Sequence, residues 1–149
     1  GMSFQQFMTV DTYFSWFLVT EKELYLDSFI AALYLKQGES YFKEEGMTVL
    51  DMSARIPEVH QIPMDLKYSI IVNWVLIKSW LSSVYPYLFP EGETAANSKG
   101  DKVKSKPVDW LGLFDAWVGD NVASIEGYRK LSCMDAIRML NRKIKEAKK

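Results

Sequence analysis

"LKYSIIVNWVLIKSWLSSVY", Leu66 to Tyr85, is the stretch whose reading decides the fold. Apolar residues fall on most sides of any regular element laid through it. Its β-branched residues, Ile70, Ile71, Val72, Val75 and Ile77, suit a buried strand as well as a helix. Length separates the two, because buried strands run about four to eight residues and helices about ten or more. The spacing therefore predicts one long helix. Asp65 caps it or sits in its first turn. Pro86 kinks or ends it, since proline lacks an N–H and clashes with the preceding turn. A helix apolar all round belongs at the centre of a bundle. Asn73 and Lys78 interrupt the run, which is too short and too polar for a membrane span of about 20 mostly apolar residues.

Upstream, the period is again helical. "TEKELYLDSFIAALYLKQG" opens with Thr20 and Glu23 in capping-box spacing. Leu26, Ile30, Leu33 and Tyr34 fall near one face, widened by Leu24, Phe29 and Ala32. Gly38 suits the residue just past the helix end, where positive φ is common. Before it, "FQQFMTVDTYFSWFLV" places Phe4, Phe7, Met8, Phe14 and Phe17 at helical intervals. "GMTVLDMSARIP" reads as a short helix ending before Pro57. "PEVHQIP" then reads as a constrained connection, because each proline pushes its predecessor out of the α region.

Downstream, "PEGETAANSKGDKVKSKP" has one sizeable apolar residue, Val103. It cannot bury enough surface to offset its ordering entropy, so residues 91–106 are expected to be a mobile linker or long exposed loop. Three short helices follow: "DWLGLFDAWV", "NVASIEGYRK", which Gly127 weakens, and "CMDAIRMLNRKIKEAKK". The last has Ser132 as N-cap with Asp135 in a capping-box-like pair. Its basic residues gather at the C-terminal end, where the helix dipole favours them. No internal repeat or sustained heptad pattern is present. The expected fold is all-α: an N-terminal helical bundle over 2–90 and a small three-helix unit over 107–149. About 40 residues are marginal as an independent fold, so that unit is expected to need a neighbour.

Composition agrees with a packed helical protein. Of 149 residues, 48% are hydrophobic and 14% aromatic, enough for a substantial core. Gly1 before Met2 reads as a remnant of tag cleavage, and no signal-peptide pattern follows. The single Cys133 excludes an intramolecular disulfide framework and fits a reducing compartment, so the expected location is the cytoplasm. The net charge of −1 is unevenly spread. Residues 1–90 carry six Lys/Arg against ten Asp/Glu, and the remainder twelve against nine.

Most reaction classes lack their residues. One histidine, His60, cannot make a two-His metal site, and no CxxC or Gly-rich phosphate loop occurs. Cys133 and His60 are the only Cys/His pair, and nothing in the sequence brings them together. Cys133 reads as a small apolar residue near a helix start and His60 as a loop histidine. Adjacent carboxylates such as Glu44–Glu45 point in different directions on a helix and read as solvated charge. No catalytic residue, cofactor site or metal site is expected. The chain reads as non-enzymatic.

Two interaction patterns remain. Trp110, Phe114 and Trp117 stand at i, i+4 and i+7, joined by Leu113, and make one aromatic stripe. Such a stripe suits a helix laid into a partner's groove, and equally a core helix. The core reading is favoured by the apolar faces of the two following helices (Val122, Ile125 and Tyr128, then Met134, Ile137, Leu140 and Ile144), so the stretch is expected to nucleate the C-terminal unit. Where that unit meets a partner, or a second copy in self-association, Trp110, Phe114 and Trp117 are the expected contacts. The alternative is nucleic acid. "RMLNRKIKEAKK" carries six basic residues against one acidic, with Arg138, Arg142, Lys143, Lys145 and Lys148 as its contacts. Lys99, Lys102, Lys104 and Lys106 add charge in the linker. No aromatic interleaves with the terminal cluster to stack bases, and the pI of about 5.9 is not that of a dedicated binder.

The pattern "W-L-G-L…V-G-D-N…L-S-C-M-D-A-I-R-M-L-N-R-K-I" after a polar linker resembles small helical proteins from the tail-assembly region of bacterial phages and prophages. Tail assembly chaperones are the nearest class. The resemblance covers about the last 40 residues and carries no functional residue over. It implies a non-enzymatic helper that binds a phage structural protein during assembly.

Overall fold

The computed structural model describes residues 1–90, 108–119 and 121–148. The linker expected over 91–106 lies outside them. Seven α-helices appear among the described residues: α1 (Phe4–Thr20), α2 (Glu23–Leu33), α3 (Met52–His60), α4 (Met64–Val84), α5 (Trp110–Val118), α6 (Ile125–Lys130) and α7 (Cys133–Ala147). A 3₁₀ turn, Val122–Ser124, precedes α6. Between α2 and α3, β1 (Glu39–Ser40) and β2 (Thr48–Val49) form a minimal parallel pair, with Glu39 beside Thr48. The fold is all-α.

The helix boundaries follow capping chemistry, not always at the expected residues. Ser3 caps α1 by accepting from the Gln6 N–H at 3.2 Å, satisfying one of the free amides of the first turn. Thr20 ends α1 instead of capping α2, and its hydroxyl donates back to the Trp16 carbonyl at 2.8 Å. The Thr20–Glu23 capping box therefore does not form, and Glu23 is free to face other charges. α2 stops at Leu33, before Gly38, because other side chains take its last carbonyls. Gln6 donates to Ala32 and Leu33, and the Tyr41 hydroxyl donates to Ala32. Gly38 still uses positive φ, at +86°, in the turn into β1.

α3 corrects the reading of Pro57 as a stop, for the helix runs through it to His60. Asp51 caps its start, accepting from Ser53 and Ala54. The buried Arg55 and Val59 hold the segment on either side of the proline, which offsets the hydrogen bond that proline removes. α4 ends at Val84, and Tyr85 leaves the helical region before Pro86, as expected. At α7, Ser132 makes no side-chain cap, and Asp135 pairs with Arg138 at 3.2 Å instead of closing a capping box.

The C-terminal helices do not build a core of their own. Phe4 and Phe7 of α1 insert between them and the N-terminal helices. Phe4 meets Trp117 edge-on at 5.7 Å and Trp110 at 6.0 Å. Phe7 meets Trp110 at 5.3 Å, Trp74 at 5.7 Å and Phe89 at 6.2 Å. Each such pair contributes on the order of 1 kcal/mol beyond simple burial. The backbone joins the same seam. The Phe4 N–H donates to Leu131 at 2.8 Å, and the Cys133 N–H donates to Met2 at 2.9 Å. Asn141 of α7 accepts from the Tyr87 and Leu88 amides just beyond α4. One hydrophobic core thus runs through both parts of the chain, and α1 is the neighbour that the short C-terminal helices needed.

The position of α4 overturns the expectation of a central helix. Only Lys67, Trp74, Leu81 and Ser82 are buried along its 21 residues. These recur about every seven residues, so a single narrow stripe faces the core. Ile70, Ile71 and Lys78 flank that stripe half-buried, and the far side of the helix faces outward.

Candidate functional site

The sequence-expected partner contact lies inside. Trp110, Phe114 and Trp117 are buried at 2, 3 and 6% exposure against Phe4, Phe7 and Tyr128. The stripe is core, and it joins Ile137 and Leu140 of α7 in the hydrophobic cluster shared with α1. The large apolar side chain that α5 leaves to solvent is Leu111, beside the exposed Asp115 and Ala116. The basic residues Arg138, Arg142, Lys143, Lys145 and Lys148 are all exposed on α7. Arg138 is tied to Asp135, and the Lys145 ammonium lies 5.8 Å from the Tyr87 ring centre. His60 and Cys133 occupy separate environments. His60 ends α3 and faces α2. Cys133 starts α7, where burial, and then the charge of Asp11, pushes its thiol up to about 12.

Three charged knots, none visible from local spacing, hold the helices together. Asp11 of α1 is buried and gathers three donors. Trp110 Nε1 donates to it at 2.7 Å, Trp74 Nε1 at 3.4 Å and Lys78 Nζ at 3.0 Å. In the second knot, Lys67 of α4 has no exposed side-chain surface. Its ammonium donates to Asp27 at 2.6 Å, to Glu23 at 3.4 Å and to the His60 carbonyl at 3.3 Å. His60 Nδ1 lies 2.8 Å from the other Asp27 oxygen. In the third, Arg55 bridges Glu39 and donates to the Tyr34 carbonyl at 2.8 Å.

The second knot has the donor set of a cation site. Ligand atoms of Glu23, Asp27 and His60 lie within 4.8 Å of one another. Lys67 already holds the place a cation would take, and its three N–H donors have three acceptors. A divalent ion there would have to displace an ammonium whose side chain has no exposed surface. This is a structural ion cluster. Local spacing shows only that Glu23 and Asp27 share a face of α2 at i, i+4; it does not pair them with His60 or Lys67.

Two surface features remain. An open groove of about 380 Å³ runs between α1, α2 and α5, lined by Thr9, Tyr13, Trp16, Tyr25, Leu111 and Arg129. The other is the outer surface of α4. Leu76 is 62% exposed, Val72 57%, Leu66 54% and Trp80 51%, with Ile77 and Val84 beside them. Between Leu66 and Val84 the only charged residues are Lys67 and Lys78, and both turn inward onto carboxylates. The outer face is therefore apolar and uncharged over nearly the length of the helix. No helix among the described residues is long and apolar enough to cross a membrane. No family model, curated protein or solved structure matches the chain.

Proposed function

We propose that this chain is a protein-interaction module, a non-enzymatic assembly factor that works through the outer face of α4. The observation that carries the reading is the row Leu66, Val72, Leu76, Ile77, Trp80 and Val84, exposed together with no charge among them. A contiguous apolar patch of more than a few hundred Å² marks an interaction surface on a water-exposed protein. The rest of the molecule is built to hold that helix rigid. Lys67 and Lys78 fasten its inner side to α2 and α1, and Asn141 fixes the turn after it. A scaffold that anchors one helix and leaves its far side bare suits association. The resemblance of the C-terminal pattern to tail-assembly helpers supports phage-like particle assembly as the setting.

The test compares the tagged chain with its Leu76→Glu/Trp80→Glu variant, each recovered from cells of the native source. Associated protein should be lost in the variant while its circular dichroism spectrum is unchanged. Equal recovery with both forms would contradict the assignment to α4. The exposure of all five basic residues on α7 supports a second reading, binding to nucleic acid. Its mark is retention that falls steeply with salt and disappears in Arg142→Glu/Lys143→Glu.

A further inference from the structure

We infer that the occupant of the α4 face is a second copy of this chain, which makes the protein a two-fold homodimer; the inference rests on the interaction reading above. Three observations lead to it. The first is charge. The outer face carries no charged side chain from Leu66 to Val84, because Lys67 and Lys78 point into the fold. Two identical faces without charge meet without repulsion, and the interfaces between identical copies are the more apolar class.

The second is spacing. Leu66, Ile70, Asn73, Ile77, Trp80 and Val84 follow one another at alternating intervals of four and three residues, with Ile70, half-buried against the chain's own core, at the inner edge of the row. That is the a/d seam of two packed helices. The seam spans fewer than three heptads and was hidden in the sequence by apolar residues on every other side. Asn73, exposed near its middle, is the one polar member. An asparagine in such a seam is satisfied by a partner offering both an amide donor and an acceptor, and so fixes register and copy number. Its own counterpart offers both. Around a two-fold axis, residues beside the axis meet themselves, which places the axis near Asn73, with Leu76 flanking the seam on its exposed side.

The third is area. The exposed parts of the seam and its flanks offer on the order of 800 Å², one partner's share of a standard stable interface. The chain's own segment 91–107 is a poor cover for such a face, since Val103 is its only sizeable apolar residue.

Sedimentation equilibrium of the full chain should show a mass that rises with concentration from 17.2 kDa to twice that value. In a Cys133→Ala background, Asn73→Cys should form interchain disulfides on oxidation, and Glu44→Cys, exposed elsewhere, should not. Leu76→Glu/Trp80→Glu should remain a monomer at every concentration with its circular dichroism unchanged, because both side chains are about half exposed or more in the single chain. A monomer at all concentrations, a dimer that survives the double substitution, or a photo-cross-link from position 76 to the chain's own 91–107 segment would overturn the inference. A monomer that captures another protein, and loses it in the double variant, would overturn the second copy alone. A monomer that captures nothing would remove the interaction reading as well.

Discussion

Replacing Asp11 with alanine should separate the C-terminal helices from the rest energetically. The carboxylate is 1% exposed and receives the Trp110 and Trp74 indoles together with Lys78. Its removal strands two buried indole N–H groups and an ammonium whose side chain is 12% exposed. Breaking a buried ion pair from one side costs about 3–5 kcal/mol. Lys78 can swing partly to water, which places the pair at the lower end, and each indole left without a partner adds on the order of 1 kcal/mol. The expected loss is about 5 kcal/mol. A chain of this size has total stability of roughly 7–20 kcal/mol, so the variant stays folded but weakened. With a urea slope of about 2 kcal/mol per molar, the midpoint should fall by about 2.5 M, read by tryptophan fluorescence and far-ultraviolet circular dichroism. Asp11→Asn should cost less, about 2 kcal/mol, because it keeps an acceptor for one indole. A double-mutant cycle with Lys78→Met should show coupling above about 1 kcal/mol. A midpoint that does not move, or costs that simply add, would refute the view of Asp11 as the tie between α1, α4 and α5.

Other consequences follow from the same contacts. Trp117→Ala should cost about 3–5 kcal/mol in urea melts by opening a cavity beside Phe4 and Tyr128, while self-association stays intact; Leu111→Ala, on the exposed side of α5, should change stability by less than about 0.5 kcal/mol. The Cys133 thiol, held neutral to about 12 against an ordinary 9.0, should react with a thiol reagent about a thousandfold more slowly in the native chain than in the unfolded one. Because the unfolded chain ionises that thiol first, the stability it contributes is complete below pH 9 and lost as pH rises towards 12, so Cys133→Ala should lessen the alkaline fall in melting temperature. Zinc or a chelator should leave the melting temperature of the native chain unchanged, since Lys67 fills the Glu23–Asp27–His60 cluster; a zinc-dependent rise would show that the ammonium yields to a metal.

The long periodic segments made most of the fold legible. α1, α4, α5 and α7 stand where their apolar spacing put them, because a helical period over nine or more residues outweighs local ambiguity. Capping was less legible. Thr20 and Ser132 have the right neighbours for caps, yet α2 and α7 find their partners in tertiary contacts. Gln6 and Tyr41, distant in sequence, decide where α2 ends. Pro57 shows the same limit, since burial of Arg55 and Val59 overrides a local preference. The charged knots join residues 40 and 99 positions apart, and no spacing rule reaches that far. The aromatic stripe of α5 was legible as a pattern but not as a choice between core and surface. α4 was misplaced for a related reason: an all-round apolar helix in one chain looks the same whether its outer side meets its own fold or another molecule.

The central claim is that another protein surface covers the outer face of α4. A photo-cross-linking amino acid placed at position 76, in cells of the native source, tests it most directly. The expected product is a covalent adduct to a protein surface, chiefly a second copy of this chain, with no comparable adduct from position 44. A chain that is folded and expressed yet forms no adduct at position 76 would contradict it.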